Sequence, residues 1–106
     1  MTRTYAGSRM PNGLTHVSVN GRPLDPRIDL RKESATTFDW GYLGRGGPAQ
    51  LALAILADHL GDDHGARRHY EHFLSSVIRG LPNERWLLTG TEIDAVVSPG
   101  GARSQS

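Results

Sequence analysis

The chain has 106 residues, 37% of them hydrophobic and 22% charged, a formal net charge of +1 and no cysteine. This length suits one domain that buries roughly 65% of the surface its unfolded chain would expose. The missing cysteine excludes disulfide staples, thiolate metal sites and thiol catalysis. The balanced charge singles out neither nucleic acid nor a membrane, although residues 1–47 carry seven basic side chains (Arg3, Arg9, Arg22, Arg27, Arg31, Lys32 and Arg45) against four acidic ones, a mild bias toward an anionic ligand.

The opening Met1 to Ser8 holds one basic residue and no apolar stretch, which does not read as a signal peptide. Residues 3–8 read as a short strand, and Met10-Pro11-Asn12-Gly13 as a turn. Val17 and Val19 then alternate with polar neighbours, and Asn20-Gly21 follows directly, the strongest short hairpin signal. Pro23 has no N–H, so the returning strand is expected to be short or at an edge. Residues 25–36 read as a polar loop, Thr37 to Trp40 as a further short strand, and Gly41 to Gly47 as a glycine-rich loop.

Pro48 suits the first helical position, where its missing N–H costs nothing. Leu51, Leu53, Ile55, Leu56 and Leu60 leave almost no polar face, so this helix is expected to be the buried one. Its longest apolar run, Leu51 to Ala57, is far short of the roughly 20 residues a membrane span needs. Gly61 is a natural C-cap, and Asp62 or Asp63 an N-cap for a second helix. That helix carries Ala66, Tyr70, Phe73, Leu74, Val77, Ile78 and Leu81 at three- and four-residue steps and is expected to end at Gly80 and Pro82. Trp86-Leu87-Leu88 is an apolar run compatible with a strand. Thr89 to Glu92 has capping-box spacing ahead of a short third helix, and residues 98–106 read as a disordered tail. The expected fold is α+β: a small antiparallel sheet from the N-terminal half, packed on a two-helix hairpin, with a short C-terminal helix. One domain over residues 1–97 would have Trp40, Leu51, Ile55, Leu56, Tyr70, Phe73, Leu74, Val77 and Trp86 in its core.

The segment Phe38-Asp39-Trp40-Gly41-Tyr42, followed by Gly46-Gly47-Pro48-Ala49-Gln50-Leu51-Ala52-Leu53-Ala54-Ile55-Leu56, resembles an uncharacterised family of small domains found in bacteria, plasmids and phages. Tyr5 to Arg9 and Trp86 to Ile93 extend the resemblance over most of residues 3–97. The loop around Arg45 is one residue longer than the family's usual form, with Arg45 where a small residue is common. The resemblance implies a phage or mobile-element setting and no particular activity.

Four constellations bear on function. The loop from Trp40 to Gln50 leads into a helix N-terminus, where backbone N–H groups and the helix dipole favour an anion. There Gly46, Gly47 and Gln50 would present amides, Arg45 would pair with a phosphate, and Trp40 or Tyr42 would stack on a base. The structural alternative is a sharp turn with Trp40 in the core. No Gly-Lys-Ser/Thr follows, so this is not a P-loop. His59, His64, His69 and His72 cluster near several carboxylates but carry no metal signature, so neither a metal nor any other cofactor is expected. Asp39 with a histidine would make an acid–base pair, yet nothing in the sequence brings them together. A sheet edge would accept a partner strand, and Arg27, Arg31 and Lys32 would touch nucleic-acid phosphate. These readings point to a non-enzymatic, cytoplasmic binding domain. It would capture a phosphate-bearing, nucleotide-like small molecule, or else act by protein contact as a small accessory or inhibitory protein of a mobile element. Neither membrane binding nor a strong nucleic-acid role is expected.

Overall fold

A computed structural model describes residues 3–30, 38–40 and 46–97. Strands β1 (Thr4–Arg9), β2 (Thr15–Val19) and β3 (Arg22–Pro23) come first. Helices α1 (Gly46–Leu60) and α2 (Asp63–Ser76), a 3₁₀ turn (Ile78–Gly80), strand β4 (Arg85–Thr89) and helix α3 (Gly90–Val97) follow. The strands form one antiparallel sheet in the order β3-β2-β1-β4.

The β2–β3 turn forms because Asn20 and Gly21 adopt positive φ of 50° and 85°, matching the right-handed twist of the strands it joins. Asn20 also accepts the Thr4 amide through its side chain at 2.9 Å, tying the turn to β1. Tyr5, Val17, Val19, Trp86 and Leu88 alternate along the strands onto one buried face. Gly7 sits opposite Val17 and Trp86 on that face, and the site favours glycine: a Cβ there would lie 2.3 Å from the Trp86 indole, which would have to shift.

Helix α1 is buried from Pro48 to Ala57, as expected for a helix with no polar face. Each of its buried leucines, Leu51, Leu53 and Leu56, contributes on the order of 2 kcal/mol by leaving water. Gly61 closes it with φ of 64°, and Asp62 caps α2 by accepting the His64 amide. The α1–α2 hairpin packs Ala66, Tyr70, Phe73 and Leu74 inward. Thr89 and Glu92 make the reciprocal capping box of α3: the Thr89 amide donates to the Glu92 carboxylate at 2.9 Å, and the Glu92 amide to Thr89 Oγ1 at 3.2 Å. Polar links also join α1 to its neighbours. The Tyr5 hydroxyl donates to Asp58 at 2.7 Å, and His59 Nε2 meets Asp94 of α3 at 2.7 Å.

The architecture is the expected α+β one, with three local differences. The sheet is not confined to the N-terminal half, because β4 pairs with β1 along five residues. Phe38 to Trp40 form no strand; side chains pin them instead, Thr15 donating to the Phe38 carbonyl, Arg9 to Asp39, and the Trp40 indole to the Asn83 carbonyl. Helix α2 stops at Ser76, four residues before the expected Gly80. Ser75 bonds back to the carbonyls of Glu71 and His72, and the β-branched Val77 leaves helical geometry at φ −124°. Of the expected core, Val77 is half-buried and the other members are buried. Among the described residues, no helix is long and apolar enough to cross a membrane.

Candidate functional site

The start of α1 is closely packed. A Cβ on Gly47 would lie 2.7 Å from the Asp39 Cβ, so the absent side chain lets the Phe38–Trp40 segment lie against the helix. Asp39 accepts Arg9 and the Trp40 amide, each at 2.7 Å, and brings a carboxylate to the end of α1 where an anion would be attracted. Trp40 is 3% exposed, with its indole N–H on Asn83, its ring edge-to-face with Trp86 at 5.4 Å, and the Arg9 guanidinium 5.0 Å from its centre. Gln50 is also buried and donates to the Pro26 carbonyl at 2.6 Å, fastening the 24–30 loop to α1. The structure therefore places Trp40, Gly47 and Gln50 in packing roles, with half-buried Gly46 at the helix start. Tyr42 and Arg45 lie outside the described residues.

The other constellations disperse. Asp39 bonds to an arginine and an amide rather than to a histidine. Arg27 spends its fork on Asp29 and Asp63, which pushes the guanidinium pKa up and holds the Asp29 carboxyl below its usual range. Arg31 and Lys32 lie outside the described residues. Among the described residues, no three histidines or carboxylates gather to hold a metal ion.

A different surface collects unpaired polar groups. The register sets Arg85, Ser8 and His16 side by side across β4, β1 and β2, and Leu87, Ala6 and Ser18 in the next row. These residues alternate with the buried ones, so they lie on the face of the sheet away from the core. Small side chains on β1 leave a depression of about 270 Å³ between the larger ones, with Arg85 and Leu87 on one side and His16 on the other. The side chains of Arg85 and His16 make no ion pair or hydrogen bond among the described residues, and Leu87 is 69% exposed. Arg85 has a free planar fork, His16 a ring N–H, and Ser8 and Ser18 hydroxyls, which together can bind a small oxyanion beside an apolar wall. The alternation on β1 and β2 hints at this face. Nothing local in the sequence announces that Arg85 arrives beside Ser8, because that pairing spans most of the chain.

Neither a characterised protein nor a solved structure matches the chain. A family model does, from residue 5 to residue 99, and the chain belongs to that family of unknown function, DUF6166.

Proposed function

We propose that the chain is a non-enzymatic binding domain that captures a small phosphate-bearing molecule on the open face of its sheet. What carries the reading is the depression lined by Ser8, His16, Ser18 and Arg85, where the side chains of an arginine and a histidine stand without partners among the described residues, beside exposed Leu87. Arg85 grips the phosphate with two parallel bonds, His16 and the serines supply further donors, and Leu87 covers the apolar part of the ligand. The volume lies just below the 300–1,000 Å³ typical of pockets for drug-sized ligands, which suits a phosphate with one sugar rather than an extended chain. The start of α1, with Arg45, Gly46 and Gly47, is the competing location for the same chemistry, and there Asp39 opposes an incoming anion.

Isothermal calorimetry with orthophosphate, nucleoside monophosphates and cyclic dinucleotides tests the proposal. Arg85→Ala is expected to weaken binding at least tenfold and His16→Ala severalfold, with Arg45→Ala unchanged. Loss with Arg45→Ala and retention with Arg85→Ala would move the site to the glycine-rich loop. No heat with any of these anions would refute anion capture.

A second reading rests on the exposure of Leu87 on a strand at the sheet edge. There the domain acts by protein contact, as a small accessory or inhibitory protein of a phage or plasmid. Co-purification with one host protein, abolished by Leu87→Asp and kept by Ile28→Asp, supports it; equal loss with both substitutions would count against it.

A further inference from the structure

The two edges of the sheet are not alike. The β3 edge is two residues long and carries Pro23, which cannot donate. Shortness and proline are two of the devices by which sheets refuse further strands. The β4 edge is five residues long and contains no proline. Its bond pattern follows from its ends: the Arg9 amide donates to the Glu84 carbonyl and the Gly90 amide to the Arg3 carbonyl, each at 2.8 Å. Antiparallel bonding alternates from there, so Trp86 and Leu88 face β1, while Arg85, Leu87 and Thr89 turn their N–H and C=O groups outward. The Thr89 amide is taken by Glu92. The amides and carbonyls of Arg85 and Leu87 have no partner among the described residues.

We infer that β4 pairs with β4 of a second copy of this chain, joining two four-stranded sheets into one of eight strands. The outward groups on Arg85 and Leu87 form a self-complementary set. A two-fold axis at Trp86 sets Arg85 of one protomer opposite Leu87 of its partner and makes four backbone hydrogen bonds. It leaves the Thr89–Glu92 cap undisturbed. The side chains agree with this register. Exposed Leu87 lies over the aliphatic stem of the partner's Arg85. An isologous contact of this kind closes on itself and gives a dimer rather than a filament. The pairing uses backbone groups and does not depend on a ligand in the sheet depression.

Light scattering after size exclusion, with sedimentation equilibrium over a concentration series, reads the outcome. The wild-type chain is expected at twice its 11.6 kDa mass. Leu87→Pro removes the outward amide, and Leu87→Lys puts a charge on the edge. Both are expected to run at the monomer mass, or to raise the dissociation constant at least tenfold, with an unchanged circular dichroism spectrum. If Leu87→Pro also loses its fold, Leu87→Lys alone decides the matter. A wild-type chain that stays monomeric at several hundred micromolar would overturn the pairing. So would a larger assembly, or a dimer that survives Leu87→Lys.

Discussion

Replacing Gly7 with alanine adds one methyl group at the most crowded point of the sheet. Its Cβ would stand 2.3, 2.4 and 2.5 Å from three atoms of the Trp86 indole. Ordinary contact begins near 3.4 Å, so the ring must retreat by about 1 Å. Its retreat is opposed, because Trp86 is 3% exposed and packs edge-to-face on Trp40, which is itself bonded to the Asn83 carbonyl. Overpacking of this kind costs about 1–3 kcal/mol, and a rigid ring locked on another belongs at the upper end. Loss of glycine's freedom in the unfolded chain returns about 0.5–1 kcal/mol. The net expectation is a loss of about 2 kcal/mol, a melting temperature lower by roughly 8–16 °C for a domain of this size. Urea unfolding followed by fluorescence of the two tryptophans measures it directly, with a lower midpoint and an unchanged slope. A Gly7→Ala variant within about 0.5 kcal/mol of wild type would refute the reasoning. The same measurement in a Trp86→Phe background sharpens it: the smaller ring vacates space, and the cost of Gly7→Ala is expected to fall by at least about 1 kcal/mol. Strict additivity would show that the indole is not the obstacle.

The Tyr5 hydroxyl is held well above the usual tyrosine range, first by burial and then by its hydrogen bond to Asp58 and that carboxylate's charge, with Arg3 opposing. An unfolded tyrosine ionises near pH 10 while Tyr5 in the folded chain keeps its proton, so its contribution is complete below about pH 10 and declines as pH rises further. Thermal melts between pH 8 and pH 11 are expected to show a fall in stability that Tyr5→Phe makes shallower by up to about 1.4 kcal/mol per pH unit; identical slopes would contradict the assignment. Glu92→Ala removes the acceptor of the Thr89 amide and is expected to cost about 1 kcal/mol in urea titrations. A neutral effect there would show that water caps α3 equally well.

Much of the fold is legible in short stretches because its causes are short-range. Asn20-Gly21 makes its hairpin, Gly61 and Asp62 make the corner between two helices, and Thr89 with Glu92 caps a third helix through atoms three residues apart. The heavy apolar loading of Leu51 to Leu56 foretells a helix covered on all sides. The less legible parts depend on distant partners. Trp40 is aromatic and stands before a glycine-rich loop, which makes it as plausible a stacking platform as a core residue until Asn83 and Trp86 are placed around it. Gln50 has the look of a ligand donor at a helix start, and it bonds to Pro26 because the loop folds back over α1. The depression on the sheet comes from three strands, and only the pairing of β4 with β1 brings Arg85 to it.

The sequence by itself determined the order and kind of the helices and the hairpin and most of their inward-facing residues, while the end of α2 fell earlier than its apolar spacing indicates. Backbone geometry, capping and apolar spacing act over a few residues and need no knowledge of the rest of the chain. Only the tertiary structure decided that β4 lies beside β1, that among the described residues one sheet face stays open with the Arg85 and His16 side chains unpaired, and that one edge is guarded while the other is not. Those outcomes come from burying Trp86 and Leu88 against residues more than seventy positions away, a gain set by the whole core rather than by any local motif.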